Sequence, residues 1–319
     1  MIKYQHIKLQ NAEYVIKNNI EEFLSSTECI YKCNEPLSKH TTLGIGGNAD
    51  FFVEVQTEKQ LINLLKFTNE NKIKFYVIGG GSNLLFGDNG YKGIVIKLSN
   101  KKEFGHINFF NNTDTETKVE AGAAVNLAYL AKYTAEQGFG GLEYLSGIPG
   151  TIGGAVYGNA GVKNCDISSN LYEIELTDYF GNKDTLTKDK FNFQYRKSNI
   201  KNAIITKVKF ILKKADKNDI LQTVFKEQQT RKKNQPLGTK NAGCIFKNPL
   251  NDSAGRIIDS LNLKNFNIGD AQISDKHANF FINRNNASCA DMLNLINFVR
   301  DEVYKKYKIK LETEIKIIK

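Results

Sequence analysis

Glycine spacing carries the first chemical signal in this chain. SGIPGTIGGAVYGNAG, from Ser146 to Gly161, has glycine at six of its sixteen positions. Glycine lets a main chain approach a ligand closely and take φ > 0 at little steric cost, and Pro149 fixes one φ among them. Such a stretch can wrap a pyrophosphate or a flat cofactor with main-chain amides, a nest in place of a charged clamp. A bare surface loop would show the same composition. A second stretch, YVIGGGSNLLFGDNG from Tyr76 to Gly90, weakens that alternative, because two amide-rich loops read as two halves of one cradle. Cys244 is the most reactive residue type in RKKNQPLGTKNAGCIFKNP, between Gly243 and an apolar pair, and Arg196 lies in the aromatic, polar stretch FNFQYRKSNI. By residue type alone, Cys244 is a small core filler, Arg196 a surface arginine in an ion pair, and Glu312 and Glu314 the wet face of an edge strand.

The elements that would position these residues follow from periodicity. A helix is expected around Ala12 to Leu24, with Val15, Ile16, Ile20, Phe23 and Leu24 at helical spacing. Asn34 to Val55 reads as strands interrupted by a Gly46-Gly47 bend. Thr57 and Gln60 form a capping-box pattern that opens a helix ending near Asn71. Phe75 to Ile78 is a short strand running into Gly79 to Asn83, a glycine loop at a strand C-terminus, where ligands often bind in α/β sheets. No helix pattern opens there, so it is not a G-x-G-x-x-G fingerprint, and it lacks the Lys-Ser/Thr ending of a P-loop. Gly93 to Leu98 and Lys118 to Ala121 read as strands flanking a hairpin excursion, and Asn126 to Gln137 as a helix stopped by Gly138. The central glycine stretch follows as a loop. Leu171 to Thr177 and Ile204 to Leu212 alternate like strands. Charge rises around Lys213 to Asp219, which marks a domain boundary, and a helix runs from Asp219 to Lys232. Helix, loop and strand fill Asp252 to Asn283. Ser288 and Asp291 cap an amphipathic helix with the face Met292, Leu295, Ile296, Val299 and Val303. A last strand, Leu311 to Ile318, places Glu312 and Glu314 on one face and Ile315 and Ile317 on the other.

Length and composition bound the function. The 319 residues suffice for two or three domains with ample core. No apolar run approaches the roughly 20 residues of a membrane helix, and the N-terminus lacks a signal-peptide pattern, so the expected location is cytoplasmic. The five cysteines are an odd, scattered set. They read as free thiols in a reducing compartment and not as a disulfide framework. Cys29 and Cys33 have no second pair, so neither zinc nor any other metal site is expected. A net charge of +10 admits nucleic acid or an anionic nucleotide as partner. The lysines are dispersed, which favours a solvated surface.

HTTLGIGGNADF, IGGGSNLLFGD, GLEYLSGIPGTIGGAVYGNAG, YRKS, AGCIFKNP, DKHANFFIN and LETEI occur in one order. Together they resemble the UDP-N-acetylenolpyruvoylglucosamine reductase family, flavoenzymes of bacterial cell-wall precursor synthesis, over roughly residues 35 to 319. One glycine motif is a weak signal; an ordered series is a strong one. The resemblance implies an α+β architecture: a lead-in at 1–33, two α+β subdomains holding FAD at 34–214 in a fold of the vanillyl-alcohol-oxidase type, and an α+β substrate domain at 215–319 that closes over the sugar nucleotide. It implies that NADPH passes a hydride to FAD and reduced FAD passes it to the enolpyruvyl double bond, giving UDP-N-acetylmuramate. The partner implied is this UDP-sugar enolpyruvyl ether, with neither nucleic acid nor membrane.

The resemblance also assigns residues. Arg196 would polarise the substrate carboxylate, for which a guanidinium offers a fixed fork of donors. Glu314 would orient groups beside the substrate, and Cys244 stands at the proton donor's place, where many members carry serine. A thiol, with a reference pKa of about 8.5, can still donate a proton; the rate should fall as pH rises through the thiol's pKa, wherever the site sets it, and alkylation should inactivate, with bound substrate protecting. FAD contacts are implied for Thr41 and Thr42, for Gly79, Gly80, Gly81, Ser82, Asn83 and Leu84, and for Gly147, Ile148, Pro149, Gly150, Thr151, Gly153, Gly154 and Ala155, with Asn159 nearby. Substrate contacts are implied for Tyr195, Arg231, Lys232, Lys247, Asn248, Lys264 and His277. The long form's tyrosine loop has no match here, which makes this the short form, with Tyr157 and Tyr195 as candidates for partial replacement. Two other readings compete: a flavin oxidase or dehydrogenase of the same cofactor fold with another substrate, and a basic nucleic-acid-binding protein, which would bind with steep salt dependence and be colourless.

Overall fold

Local capping opens the helices of the computed structural model, which describes residues 15–162 and 165–319. Helix α1 covers 15–26; the start of its expected range, residues 12–14, lies outside the described residues. β1 (Ile30–Pro36), β2 (Asn48–Val55), helix α2 (Glu58–Glu70), β3 (Phe75–Ile78), β4 (Leu84–Phe86) and β5 (Tyr91–Leu98) complete the first unit. Its sheet runs β1-β2-β5-β3, antiparallel at β1 and parallel elsewhere. Thr57 and Gln60 close the expected capping box, and α2 buries Leu61, Leu64, Leu65 and Thr68. Helix α1 buries Ile20 and Leu24, and its Phe23 stacks on Phe67 of α2 at 3.9 Å.

The second unit contains β6 (Ile107–Phe110), β7 (Glu116–Gly122), α3 (Leu127–Glu136), β8 (Phe139–Gly140), α4 (Ile152–Tyr157), β9 (Gly161–Val162), β10 (Cys165–Asp166), β11 (Leu171–Asp178), β12 (Lys183–Thr187), β13 (Ala203–Lys214) and α5 (Lys217–Asn234). Its antiparallel sheet runs β12-β11-β13-β7-β6. Val119, Ile174, Val208 and Phe210 on one face share a core with Phe51, Val53 and Ile94 of the first unit, so the two sheets are packed as one body. The opposite face carries cross-strand ion pairs, among them Lys209–Glu173 at 2.6 Å and Lys207–Glu175 at 3.1 Å. The central glycine stretch differs from the loop expected of it: Thr151 caps the short helix α4, which buries Ile152, Ala155 and Val156. Apolar residues at i, i+3 and i+4 outweigh the glycines between them. Helix α5 begins within the charged stretch at 213–219 and packs back on α3, with Ile220 and Val224 against Ala135.

β14 (Lys240–Cys244), α6 (Ala254–Asp259), β15 (Asn267–Ile268), β16 (Ala271–Ile273), β17 (Phe280–Asn283), α7 (Cys289–Tyr307) and β18 (Lys316–Ile318) form the third unit. The sheet runs β14-β17-β16-β15, and α7 opens on the Ser288–Asp291 capping box and buries the expected face. β18 leaves this unit and pairs in parallel with β4, while Leu43, Ile45 and Leu85 of the first unit enter the third unit's core. Asp88 accepts from the Cys289 and Ala290 N–H groups at 2.7 and 3.0 Å, a carboxylate at the positive end of α7. The expected strand over 311–318 is shorter than its alternation suggests. Residues 311–315 cross between units: Leu311 and Ile315 are buried in the third core, Thr313 bridges Phe246, and pairing with β4 begins only at Lys316. Glu312 and Glu314 therefore do not share one wet face, with side chains 73% and 19% exposed. No helix of the described residues is long and apolar enough to cross a membrane.

Candidate active site

The two glycine stretches meet. Ser82 Oγ donates to the Pro149 carbonyl at 3.1 Å. A Cβ on Gly79 would lie 2.4 Å from Thr151 Oγ1, and one on Gly80 would lie 2.9 Å from the Gly150 Cα. Gly81 has φ +66, and a Cβ there would stand 1.9 Å from the His40 carbonyl oxygen. Thr42 joins the same place, its N–H donating to Gly81 O at 3.1 Å, while the Thr41 hydroxyl donates to Ile45 O at 3.0 Å. Gly150 takes φ +118 and its carbonyl receives the Leu127 N–H at 3.0 Å. Gly153 N–H donates to Ala123 O at 2.9 Å and Ile148 N–H to Leu145 O at 2.9 Å, tying the stretch to the second sheet. Leu84 is the first residue of β4 and packs beside Phe86. Gly154 N–H donates to the Thr151 hydroxyl, and Ala155 is on the buried face of α4.

Arg196, Cys244 and Glu314 converge from three segments. Arg196 Nε donates to Glu314 Oε1 at 2.8 Å, and Nη2 donates to the Gly161 carbonyl at 2.9 Å. Arg196 holds φ +56, at a turn closed by reciprocal Gln194–Lys197 hydrogen bonds, with its guanidinium 4.9 Å over the Tyr195 ring. A non-glycine residue at positive φ is uncommon and strained. Burial pushes the Glu314 carboxyl up, and Arg196 pulls it back. Burial and the neighbouring Glu314 charge push the Cys244 thiol up to about 12, against the opposing pull of Arg196 and Arg231. The part-exposed thiol is therefore held in its protonated form at neutral pH.

The substrate-side residues divide. Arg231 lies against Gly147, where a Cβ would meet its Cδ at 2.2 Å, and burial lowers its pKa. Tyr195 Oη accepts from the Asn248 N–H at 3.3 Å, and Asn248 Oδ1 accepts from Ala254 N–H at 3.1 Å. With Lys247 and Lys310 they line a cleft of about 310 Å³. Lys247 is paired there with Glu312 at 2.7 Å. Lys232 is exposed on α5. Lys264 pairs with Asp259 at 3.0 Å, and these are the charges His277 feels. Burial holds the His277 imidazole below its usual pKa, and its Nδ1 accepts from Asn279 N–H at 3.2 Å, a turn-anchoring role. Sequence reasoning singled out His277 and passed over Asn279, two residues on. Asn279 clamps Phe246, accepting its N–H at 2.9 Å and donating to its carbonyl at 2.8 Å, and its side chain pulls the Cys244 thiol's pKa down. The available signal was a polar residue directly before the apolar run Phe280-Phe281-Ile282.

Residues 235–318 match the model of the UDP-N-acetylenolpyruvoylglucosamine reductase C-terminal domain, and 49–181 match an FAD binding domain. A UDP-N-acetylenolpyruvoylglucosamine reductase from Halalkalibacterium halodurans is 38% identical over 90% of this chain and 94% of its own, and one from Bacillus pumilus is 35% identical over 89% and 93%. The chain belongs to the UDP-N-acetylenolpyruvoylglucosamine reductase family. The crystal structure of such a reductase from Thermus caldophilus superposes with a TM-score of 0.77 at 34% identity, covering 92% of this chain and 99% of the other. Like that family, the chain is an FAD-dependent oxidoreductase carrying out a reduction in peptidoglycan synthesis.

The residues present fit a flavin nucleotide. Among the described residues, the buried side-chain atoms without a hydrogen-bond partner are Ser146 Oγ, Asn159 Oδ1 and Gln235 Oε1. Buried polar groups in native proteins are almost always paired. Two of the three lie in the central glycine stretch, and the third caps α5, the helix whose Arg231 covers Gly147. Ser146 and Asn159 thus offer two unpaired oxygens along the central glycine stretch to a polar group of the cofactor.

Proposed function

We propose that the chain reduces UDP-N-acetylenolpyruvoylglucosamine to UDP-N-acetylmuramate with NADPH as reductant. When bound, FAD supplies the hydride relay between the nicotinamide and the enolpyruvyl double bond. The glycine loops at 79–84 and 147–155 hold the cofactor with their main chain, with Thr41, Thr42 and Asn159 at its edge. The single observation that carries the assignment is the convergence of Arg196, Glu314 and Cys244 beside that cradle. Glu314 and the Gly161 carbonyl lock the Arg196 guanidinium in one plane, so its fork meets a substrate carboxylate without reorganisation. Cys244 carries its proton throughout the working pH range and delivers it to the carbon next to that carboxylate. Arg196 and Arg231 stabilise the thiolate left behind, because both lower the thiol's pKa.

Tyr195, Asn248 and Lys247 bind the nucleotide-sugar from the cleft side, with Lys232 and Arg231 toward the diphosphate. Lys247 must exchange Glu312 for substrate to do so. Lys264 and His277 serve through the third unit's loop structure. We assign a small-molecule partner and a cytoplasmic site of action, where UDP-sugars and NADPH are found and where free thiols such as these five persist. The test is direct. A purified, yellow preparation should oxidise NADPH when UDP-N-acetylenolpyruvoylglucosamine is added and should form UDP-N-acetylmuramate in equal amount. A flavin-containing preparation that ignores this compound would overturn the substrate assignment. Steeply salt-dependent retention on duplex DNA by a colourless protein would overturn the enzyme reading altogether.

A further inference from the structure

Glu314 is where the three units meet. Its N–H donates to the carbonyl of Ile245 at 2.8 Å, one residue beyond Cys244. Its carboxylate accepts from Arg196 of the second unit. Its own carbonyl accepts from the side-chain amide of Asn83 at 3.2 Å, and Asn83 O accepts from Lys316 N–H at 3.1 Å. Asn83 ends the first glycine loop, and the β4–β18 ladder starts just after it, at Leu84 and Lys316. That ladder begins two residues past Glu314. The segment between the Thr313–Phe246 bridge and Lys316 therefore takes its grip on the first unit from the Asn83 amide.

We infer that Asn83 is a positioning residue whose amide sets Glu314, and through it the Arg196 guanidinium, against the loop that cradles the cofactor. The inference rests on the catalytic reading of Arg196, Cys244 and Glu314 given above. A side chain without a donor removes the Asn83 hydrogen bond from the carbonyl of the half-buried Glu314. Residues 313–315 then move independently of the cradle, and the hydride and proton steps lose their shared frame. Asn83 is itself among the implied flavin contacts, through its main chain, so FAD affinity is read separately from the rates.

The experiment is a double-mutant cycle with Asn83→Leu, which keeps shape and removes the donor, and Glu314→Gln. Three quantities are read for each form: the dissociation constant of FAD from its fluorescence on release, flavin reduction by NADPH, and flavin reoxidation by UDP-N-acetylenolpyruvoylglucosamine. With FAD saturating, Asn83→Leu should slow reoxidation about tenfold, the size of one lost hydrogen bond, and the NADPH step far less. In the Glu314→Gln background the same change should slow reoxidation by less than about twofold, because residues acting through one another are non-additive. Equal slowing in both backgrounds overturns the inference, as does an FAD dissociation constant that rises as far as the rate falls. If Asn83→Leu does not fold, Asn83→Ser, whose hydroxyl is too short to reach, enters the same cycle with the same outcomes. Wild-type reoxidation in Glu314→Gln alone would bring down the catalytic reading and this inference together, whereas a slow Glu314→Gln with additive Asn83→Leu brings down only the latter.

Discussion

The cofactor cradle and the catalytic cluster are built by opposite means. In the cradle, main chain touches main chain: Gly80 lies against Gly150, and Gly81 against the His40 carbonyl. In the cluster, side chains reach across the fold: Arg196 and Glu314 are 118 residues apart and 2.8 Å from each other. The first region is specified by the absence of side chains, the second by their charge and protons. The cradle should then be intolerant of size and the cluster intolerant of chemistry.

The largest expected effect comes from adding one methyl to the cradle. Gly81→Ala must carry a Cβ at positive φ and displace the His40 carbonyl. It should cost more than about 3 kcal/mol and release FAD, since left-handed strain and a backbone clash add. Gly243 is the control from the cluster's edge: it has φ +74 but no heavy atom within 4 Å of an added Cβ. Gly243→Ala should cost only about 1–2 kcal/mol, the left-handed term alone. Denaturant midpoints for both variants check this. Equal losses would show that backbone conformation, not crowding, governs the cradle.

The second effect is chemical. Cys244→Ala should leave flavin reduction by NADPH intact and slow reoxidation by substrate on the order of 10²-fold, as for loss of a general acid. Cys244→Ser should keep substantial activity, because its hydroxyl has similar reach and a proton to give. Rapid mixing of pre-reduced enzyme with substrate separates the steps. Reoxidation of Cys244→Ala at the wild-type rate would reduce Cys244 to packing. Third, Arg196→Lys keeps a charge but cannot bond Glu314 and the Gly161 carbonyl in one plane. Reoxidation should fall about tenfold, one charge-assisted hydrogen bond, with the NADPH step unchanged. Equal slowing of both steps would place Arg196 in the fold and not at the substrate.

The same contrast explains what the sequence disclosed. The Thr57–Gln60 and Ser288–Asp291 capping boxes are local rules read within four residues, and both helices stand where those rules put them. Glycine-rich loops are local as well, so the cradle was visible, although α4 inside it was masked by its own glycines. Long-range side-chain meetings have no local signature. Glu312 and Glu314 look alike in LETEI, yet one faces solvent and the other is half-buried against Arg196. Their difference is set by the crossing of 311–315 between two units. The packing of α5 on α3 and the clamp of Asn279 on Phe246 are invisible for the same reason. Only the ordered motif series tied Arg196, Cys244 and Glu314 to one another before the structure did.

The smallest effect tests how dry the cluster is. An unfolded chain ionises its thiols near pH 8.5, whereas folded Cys244 is held to about 12 by burial and Glu314. The folded pKa is raised, so the stability it contributes is fully present below the unfolded value and is lost as pH climbs toward the folded one. Between those limits the loss is about 1.4 kcal/mol per pH unit, giving about 1–2 kcal/mol by pH 10. Cys289, raised to about 11, and Tyr76, raised to about 12, act in the same direction, but they do so equally in wild type and Cys244→Ser. The difference between the two proteins therefore isolates Cys244. Denaturant midpoints at pH 8 and pH 10 should fall further in wild type than in the serine variant by that amount. Reoxidation over the same range should show no falling limb from the thiol in wild type, since the acid keeps its proton. Equal midpoint losses, or a wild-type limb near pH 9, would mean that water reaches the thiol, and that the cluster is as open to solvent as the cleft beside it.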